Sequence, residues 1–389
     1  KPYNRSLLVG VLLIGTFCTI LNQTLLTTAL PTLMKEFDIS ASSVQWLTTG
    51  FLLVNGIMIP ISAWLINKFS SKKLYITAMS TFLIGTIICF VAQDFGMLLT
   101  GRLVQAAGVG VSMPLLQTIM LSIFPPEKRG AAMGTTGIVI GLAPALGPTL
   151  SGWIIDSYTW RDLFGMVIPI VVLVLILASF LMKNVIQLSN PSIDVLSVIL
   201  STLGFGSLLY GFSSVGDKGW GSPQVYGFLI VGAIVLCLFT YRQLHLEQPF
   251  LELRVFKSKV FTVAAILSGV TNMAMIGAEM VLPLYIQNIR GESAFHSGLM
   301  LLPGALVMGL MMPVTGRIFD KIGARRLAIT GMFILTAATL PFAFLTKATP
   351  IIYIIVLYAI RMFGISMVMM PVTTSGMNAL PMKKKKKEK

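Results

Sequence analysis

Met97–Phe124 reads MLLTGRLVQAAGVGVSMPLLQTIMLSIF, a run whose one charged residue is Arg102. A helix crosses a bilayer core with about 20 predominantly apolar residues, and this run exceeds that. A soluble helix of such length carries a charged stripe for water; this one carries a single charge. The stretch predicts a membrane-spanning helix with an arginine placed where charge is costly.

The rest of the chain repeats that character. Of 389 residues, 55% are hydrophobic and 11% charged, and the mean hydropathy is +0.86. Soluble domains carry about 25% charged residues, so most of this chain has no water to face. Twelve segments qualify as spans, at roughly 6–30, 43–66, 73–92, 97–124, 131–155, 163–183, 194–213, 223–242, 259–287, 297–318, 327–346 and 350–371. The first is too long for the apolar core of a signal peptide. Lipid offers no partner to an unpaired backbone group, so the fold expected is an all-α polytopic membrane protein, a bundle of helices.

Charge placement gives an orientation. With the N-terminus in the cytoplasm, 22 of the 29 basic residues fall inside and five outside, namely Lys35, Arg161, Lys218, Arg290 and Lys347. Arg102 and Arg361 lie within spans. This bias is the positive-inside pattern, and it is lost if one span is added or removed midway. The net charge of +15 thus reflects topology, and no nucleic-acid partner is expected. Cys18, Cys89 and Cys237 lie in apolar runs, and His245 and His296 in expected loops. No spacing of these residues reads as a metal site. No phosphate-cradling glycine loop and no nucleophile–base constellation occurs, so neither a cofactor nor an enzyme activity is expected.

An internal repeat is visible. Ala29-Leu30-Pro31 matches Val281-Leu282-Pro283 at an offset of 252, and Ile59-Pro60-Ile61-Ser62 matches Met312-Pro313-Val314-Thr315 at 253. Lys72-Lys73-Leu74 matches Arg325-Arg326-Leu327 at 253, and Arg102 before Pro114 is echoed by Arg361 before Pro371. Spans 9 to 12 read as a second copy of spans 1 to 4. Parallel repeats of this kind build many secondary transporters, with the substrate site between the halves near the midplane.

At these residues the chain resembles the major facilitator superfamily, and within it the fourteen-helix drug:proton antiporters of the lincomycin-resistance type. Leu21 to Pro31 is similar to that family's opening signature, and Gly101-Arg102-Leu103-Val104-Gln105-Ala106-Ala107-Gly108 to its Arg-x-x-Gln-Gly-x-Gly motif. Ala143-Pro144-Ala145-Leu146-Gly147-Pro148-Thr149-Leu150-Ser151-Gly152 resembles the motif that marks exporters, and Trp160-Arg161 with Phe164 follow where the family has Trp-Arg-x-x-Phe. Gly316-Arg317-Ile318-Phe319-Asp320-Lys321-Ile322-Gly323-Ala324-Arg325-Arg326 is similar to the superfamily's loop motif. Its first copy departs from the pattern, with Ala63, Asn67 and Ser70 where Gly, Asp and Gly are expected.

The resemblance implies a proton-driven exporter of lipophilic small-molecule drugs, working by alternating access as a monomer in the bacterial cell membrane. Asp320, Arg317, Arg325 and Asn67 would form gating latches, since an acidic group facing a helix N-terminus holds two elements together; charge that merely sets topology is the plainer reading. Pro144, Gly147, Pro148 and Gly152 would make a tight gating contact, or simply close helix packing. Arg102 and Arg361 are candidates for proton coupling, or anchors snorkelling to an interface. Glu279 is the one carboxylate well inside a span. An apolar setting favours the protonated form of a carboxyl group, so Glu279 is expected to carry protons or bind cationic drugs; the alternative is a capped structural glutamate.

Many relatives carry Asp at the position of Asn22, which cannot titrate, so the resemblance makes neutral or weakly basic drugs the more plausible cargo. Asn22, Thr24, Asn55, Gln105 and Asn272 would give uncharged hydrogen bonds, with Glu279, in an apolar pocket. The expected organisation is a six-helix bundle over 1–183, an inserted helix pair and linker over 184–258, four of six helices of a second bundle over 259–381, and a lysine-rich tail over 382–389. That shortfall leaves two alternatives open: a transport-inactive family member or membrane binding protein, and a cation or metabolite antiporter on the same scaffold.

Overall fold

The computed structural model describes residues 5–26, 28–125, 129–184, 188, 193–246 and 253–378. Among them run twelve long helices: α1 (Arg5–Leu25), α2 (Trp46–Lys68), α3 (Ser71–Phe90), α4 (Phe95–Ile123), α5 (Arg129–Ser157), α6 (Val167–Leu181), α7 (Val195–Ser213), α8 (Pro223–His245), α9 (Lys259–Leu284), α10 (Ala294–Ile322), α11 (Ala324–Thr339) and α12 (Ile351–Asn378). Eleven spans are long and apolar enough to cross a membrane. The remaining expected span, 131–155, is α5, which is 29 residues long and has most of its first-half side chains outside the described residues. The chain is an all-helical, multi-pass membrane protein.

Helix ends follow local chemistry. Asp94 accepts a 2.7 Å hydrogen bond from the Met97 amide at the start of α4. Ser70, Ser258 and Ser293 accept bonds from Lys73, Phe261 and His296 in the same way, each satisfying an orphan first-turn donor. The first span stops at Leu25, short of the expected residue 30. Leu30–Phe37 is instead a separate short helix with Pro31 in its first turn, where the missing N–H costs nothing. The matching Pro283 lies inside α9, followed by a π-helical turn over Tyr285–Ile289.

Contacts sort the chain into two compact units, Lys1–Ile140 with Ser157–Glu252, and Gly141–Asp156 with Leu253–Lys389. In the first, α4 packs most extensively on α3 and α2. Gly85 and Gly101 permit this approach: a Cβ on Gly85 would stand 2.5 Å from the Gln105 backbone nitrogen. In the second, α12 packs on α11 and α10 in the same pattern, around Leu282, Ile286, Leu301, Leu335, Ile354, Tyr358 and Met362. Lipid is as apolar as these side chains, so close fit and internal hydrogen bonds hold the helices. Large apolar residues such as Phe180, Ile266, Phe333 and Ile352 are accordingly left on the outside.

The pair α7 and α8 is clamped at one end. Arg242 donates to both Asp194 oxygens, from Nε at 2.6 Å and from Nη2 at 2.8 Å. Ser197 also donates to Asp194, and Gln243 Nε2 donates to Ser197 at 2.6 Å.

Candidate functional site

Among the described residues, each unit holds one arginine deep among its helices. Arg102 on α4 is fully buried. Its Nε donates to the Leu47 carbonyl at 3.2 Å, and its Nη1 to the Asn22 carbonyl at 3.4 Å and to Gln105 Oε1 at 3.1 Å. Asn22 Nδ2 donates to the same Gln105 oxygen at 3.1 Å, and Gln105 Nε2 donates to Thr86 Oγ1 at 2.8 Å. The guanidinium lies 4.3 Å from the centre of the Phe51 ring, a geometry that stabilises a desolvated cation. Arg102 thus cross-links α4 to α1 and α2, and Gln105 extends the network to α3, unlike an anchor reaching for an interface. Asn22 Oδ1 and Arg102 Nη2 are buried without a partner.

Arg361 on α12 repeats the arrangement. Its Nη2 donates to the Ala274 carbonyl on α9 at 2.8 Å and its Nε to Thr339 Oγ1 at 2.9 Å. Asn22 and Ala274, the two α1 and α9 residues whose carbonyls receive the arginines, stand 252 apart, the offset of the sequence repeat. The duplication therefore extends to a hydrogen bond.

The two sites differ in their acid. Glu279 on α9 is half-buried, and Arg361 and Tyr358 lie within electrostatic range of it. Among the described residues, no hydrogen-bond donor reaches its carboxylate. The first site holds a neutral amide cluster instead. A carboxylate free of donors and close to a cation can take up and release a proton, or exchange one cation for another.

The remaining expected residues divide. Asn22 and Gln105 are joined, but to Arg102. Thr24 donates to the Leu21 carbonyl at 3.0 Å and Asn272 to the Ser268 carbonyl at 2.9 Å, both within their own helices. Asn55 Oδ1 is buried and unpartnered, beside Gly110 of α4. Asn67 Nδ2 bonds to the Ala63 carbonyl of its own helix at 3.1 Å. Arg317 and Arg325 are exposed, while the side chains of Asp320 and Pro144 lie outside the described residues.

Gly147, Pro148 and Gly152 are buried in the second half of α5, which packs on the start of α10. Gly152 abuts the backbone of Ala294 and Phe295, and Gly298 abuts the Pro148 carbonyl. Thr149 Oγ1 donates to the Gly298 carbonyl at 3.2 Å and the Phe295 amide to Asp156 at 2.9 Å. Sequence reasoning missed Phe51, Thr339 and Tyr358 beside the arginines and Thr86 as the acceptor for Gln105. Single Thr and aromatic residues in apolar runs carry no signal of their own.

The sequence profile of the Major Facilitator Superfamily matches residues 12–387. The chain belongs to that superfamily. Its superfamily relatives include the "Uncharacterized MFS-type transporter YcnB" of Bacillus subtilis, 56% identical over 98% of this chain and 81% of the relative. The "Lincomycin resistance protein LmrB" of Listeria monocytogenes is 44% identical over 97% of this chain and 80% of its own length. The "Multidrug export protein EmrB" of Haemophilus influenzae is 29% identical over 96% and 74%. Among solved structures, a POT family transporter crystallised with a thioalcohol-conjugated peptide superposes with a TM-score of 0.71 at 13% identity, covering 96% of this chain and 84% of its own. At that identity the likeness concerns the major facilitator fold alone.

Proposed function

We propose that this protein exports lipophilic drugs from the cell in exchange for protons, by alternating access. The observation that carries drug export is its likeness, over nearly its whole length, to relatives named for lincomycin resistance and multidrug export. Glu279 is the proton-carrying group, with Arg361 as the cation that competes for its charge. Arg102 locks the first bundle, and its neutral surroundings at Asn22 and Gln105 favour neutral or weakly basic cargo. Gly147, Pro148 and Gly152 form a gating contact that limits leakage, and the loops holding Asn67, Arg317, Asp320 and Arg325 act as latches on the cytoplasmic side.

The protein works from the bacterial cell membrane as a monomer, with its N-terminus inside. Cells expressing the chain should accumulate less of the weakly basic lipophilic dye Hoechst 33342 than cells without it, and a protonophore should abolish the difference. Equal accumulation with and without the chain removes export; a difference that survives the protonophore removes proton coupling.

A further inference from the structure

The first unit contains a cavity of about 450 Å³ away from Arg102, lined by α2 and α4 on one side and the α7–α8 hairpin on the other. Trp46, Gly50 and Leu53 of α2 form one wall, and Phe95, Leu99 and Leu103 of α4 form another. Both sets recur at helical spacing, so each is a stripe along one helix face. From Phe95 to Leu103 the stripe descends about 12 Å, at 1.5 Å per residue.

The upper end is polar. Ser43, Tyr210, Ser214, Lys218 and Gln224 line it. Gln224 Nε2 donates to the Tyr210 hydroxyl at 2.8 Å, which leaves the phenolic hydrogen free to donate elsewhere. Ser40 donates to Ser43 Oγ at 3.1 Å, leaving the Ser43 hydrogen free likewise. Lys218 is exposed and, among the described residues, forms no ion pair. Among the described residues, no carboxylate lines the cavity. A second cavity of about 330 Å³ adjoins it, with Trp46 in the shared wall and Gln45 and Thr49 beside it.

The polar end lies where α2, α4 and α8 begin and α7 ends, so it belongs to one membrane face. Trp46, Tyr210, Trp220 and Tyr226 gather there, as aromatic residues do at headgroup depth.

We propose that this cavity seats one anionic phospholipid, its phosphate at Lys218, Tyr210 and Ser43 and an acyl chain along the Leu53–Leu99–Leu103 stripe. Charge complementarity selects the occupant: an exposed ammonium with hydroxyl donors beside it, and no acid among the described lining residues, attracts a phosphodiester and repels a lipophilic cation. The apolar stripe selects a lipid over a free anion. A lysine near a membrane surface favours an anionic over a zwitterionic headgroup by about fivefold. The site is independent of whatever the protein transports.

The test is native mass spectrometry of the purified full chain in detergent, titrated with dioleoylphosphatidylglycerol or dioleoylphosphatidylcholine. The parent should bind the first phosphatidylglycerol about fivefold more tightly than phosphatidylcholine. Lys218→Gln should bring the two within twofold, while Lys347→Gln, a loop lysine outside the cavity, leaves the preference unchanged. Leu99→Trp fills the stripe but keeps the cation, and should weaken binding of both lipids. It also serves if Lys218→Gln fails to fold. Inorganic phosphate at millimolar concentration should not displace the lipid. Equal affinity for the two lipids in the parent, an undiminished preference in Lys218→Gln, unweakened binding in Leu99→Trp, or displacement by free phosphate would each overturn the proposal.

Discussion

Arg102 shows how a charge is tolerated where no water reaches. Three oxygens accept from its guanidinium and Phe51 faces it, so the cation is held by dipoles and a ring rather than by an acid. Replacing it with leucine would remove three bonds to a charged group, each contributing about 1.5–3 kcal/mol, although the Gln105 oxygen keeps its bond from Asn22. Arg102→Leu should therefore lower the melting temperature in detergent by several degrees, and Arg102→Lys by less, since a lysine reaches some of these oxygens without the guanidinium's fork. A melting temperature equal to the parent's in Arg102→Leu would show that the node bears no load.

Asp194, just outside the α7 span, makes a second residue-scale prediction. Its bonds from Arg242, with a smaller contribution from Ser197, hold its pKa at about 2, below the value of about 3.9 expected in an unfolded chain. The folded form binds its proton less readily, so the clamp's contribution is complete above pH 5 and is lost as pH falls towards 2. Asp194→Asn should lower the melting temperature equally at pH 6 and pH 8, and the gap from the parent should close on acidification. The sequence made Arg102, Arg361 and Glu279 visible because charges are rare in spans. It could not reveal that Asn22 and Gln105 are bound to Arg102, because only the folded bundle brings α1 to α4.

At the scale of elements, hydropathy and charge made the twelve helices legible, and the ends moved where caps and prolines act. The two loop motifs show how one signature takes two forms. Gly323 adopts φ +83° and ψ 166° between α10 and α11, an extended conformation that an L side chain enters at a cost of about 1–3 kcal/mol. Ser70, its counterpart 253 residues earlier, has φ −62° and caps α3 with its hydroxyl. The missing glycine in the first copy thus follows from a turn that does not need one. Both loops follow the second helix of their repeat, so they should share a membrane face. With the native cysteines replaced, single cysteines at Lys72 and Arg326 should react with a membrane-impermeant maleimide from the same side, and a cysteine at Lys218 from the other. Labelling of Lys72 and Arg326 from opposite sides would contradict the duplication.

At the scale of the whole molecule, two units each built around a buried arginine carry different chemistry at equivalent places. The first presents amides around Arg102, and the second adds Glu279 near Arg361. Under the proposed function, that asymmetry gives structural support to one repeat and proton exchange to the other. It was only half visible in the sequence, where Asn22 stood out as a departure but Thr86 and Thr339 gave no sign. The most direct test is drug-evoked proton movement in proteoliposomes made with the parent and with Glu279→Gln. Hoechst 33342 added to parent vesicles should drive a proton flux in the opposite direction, and Glu279→Gln, folded to the same melting temperature, should lose that flux. A flux of undiminished size in Glu279→Gln would contradict the account.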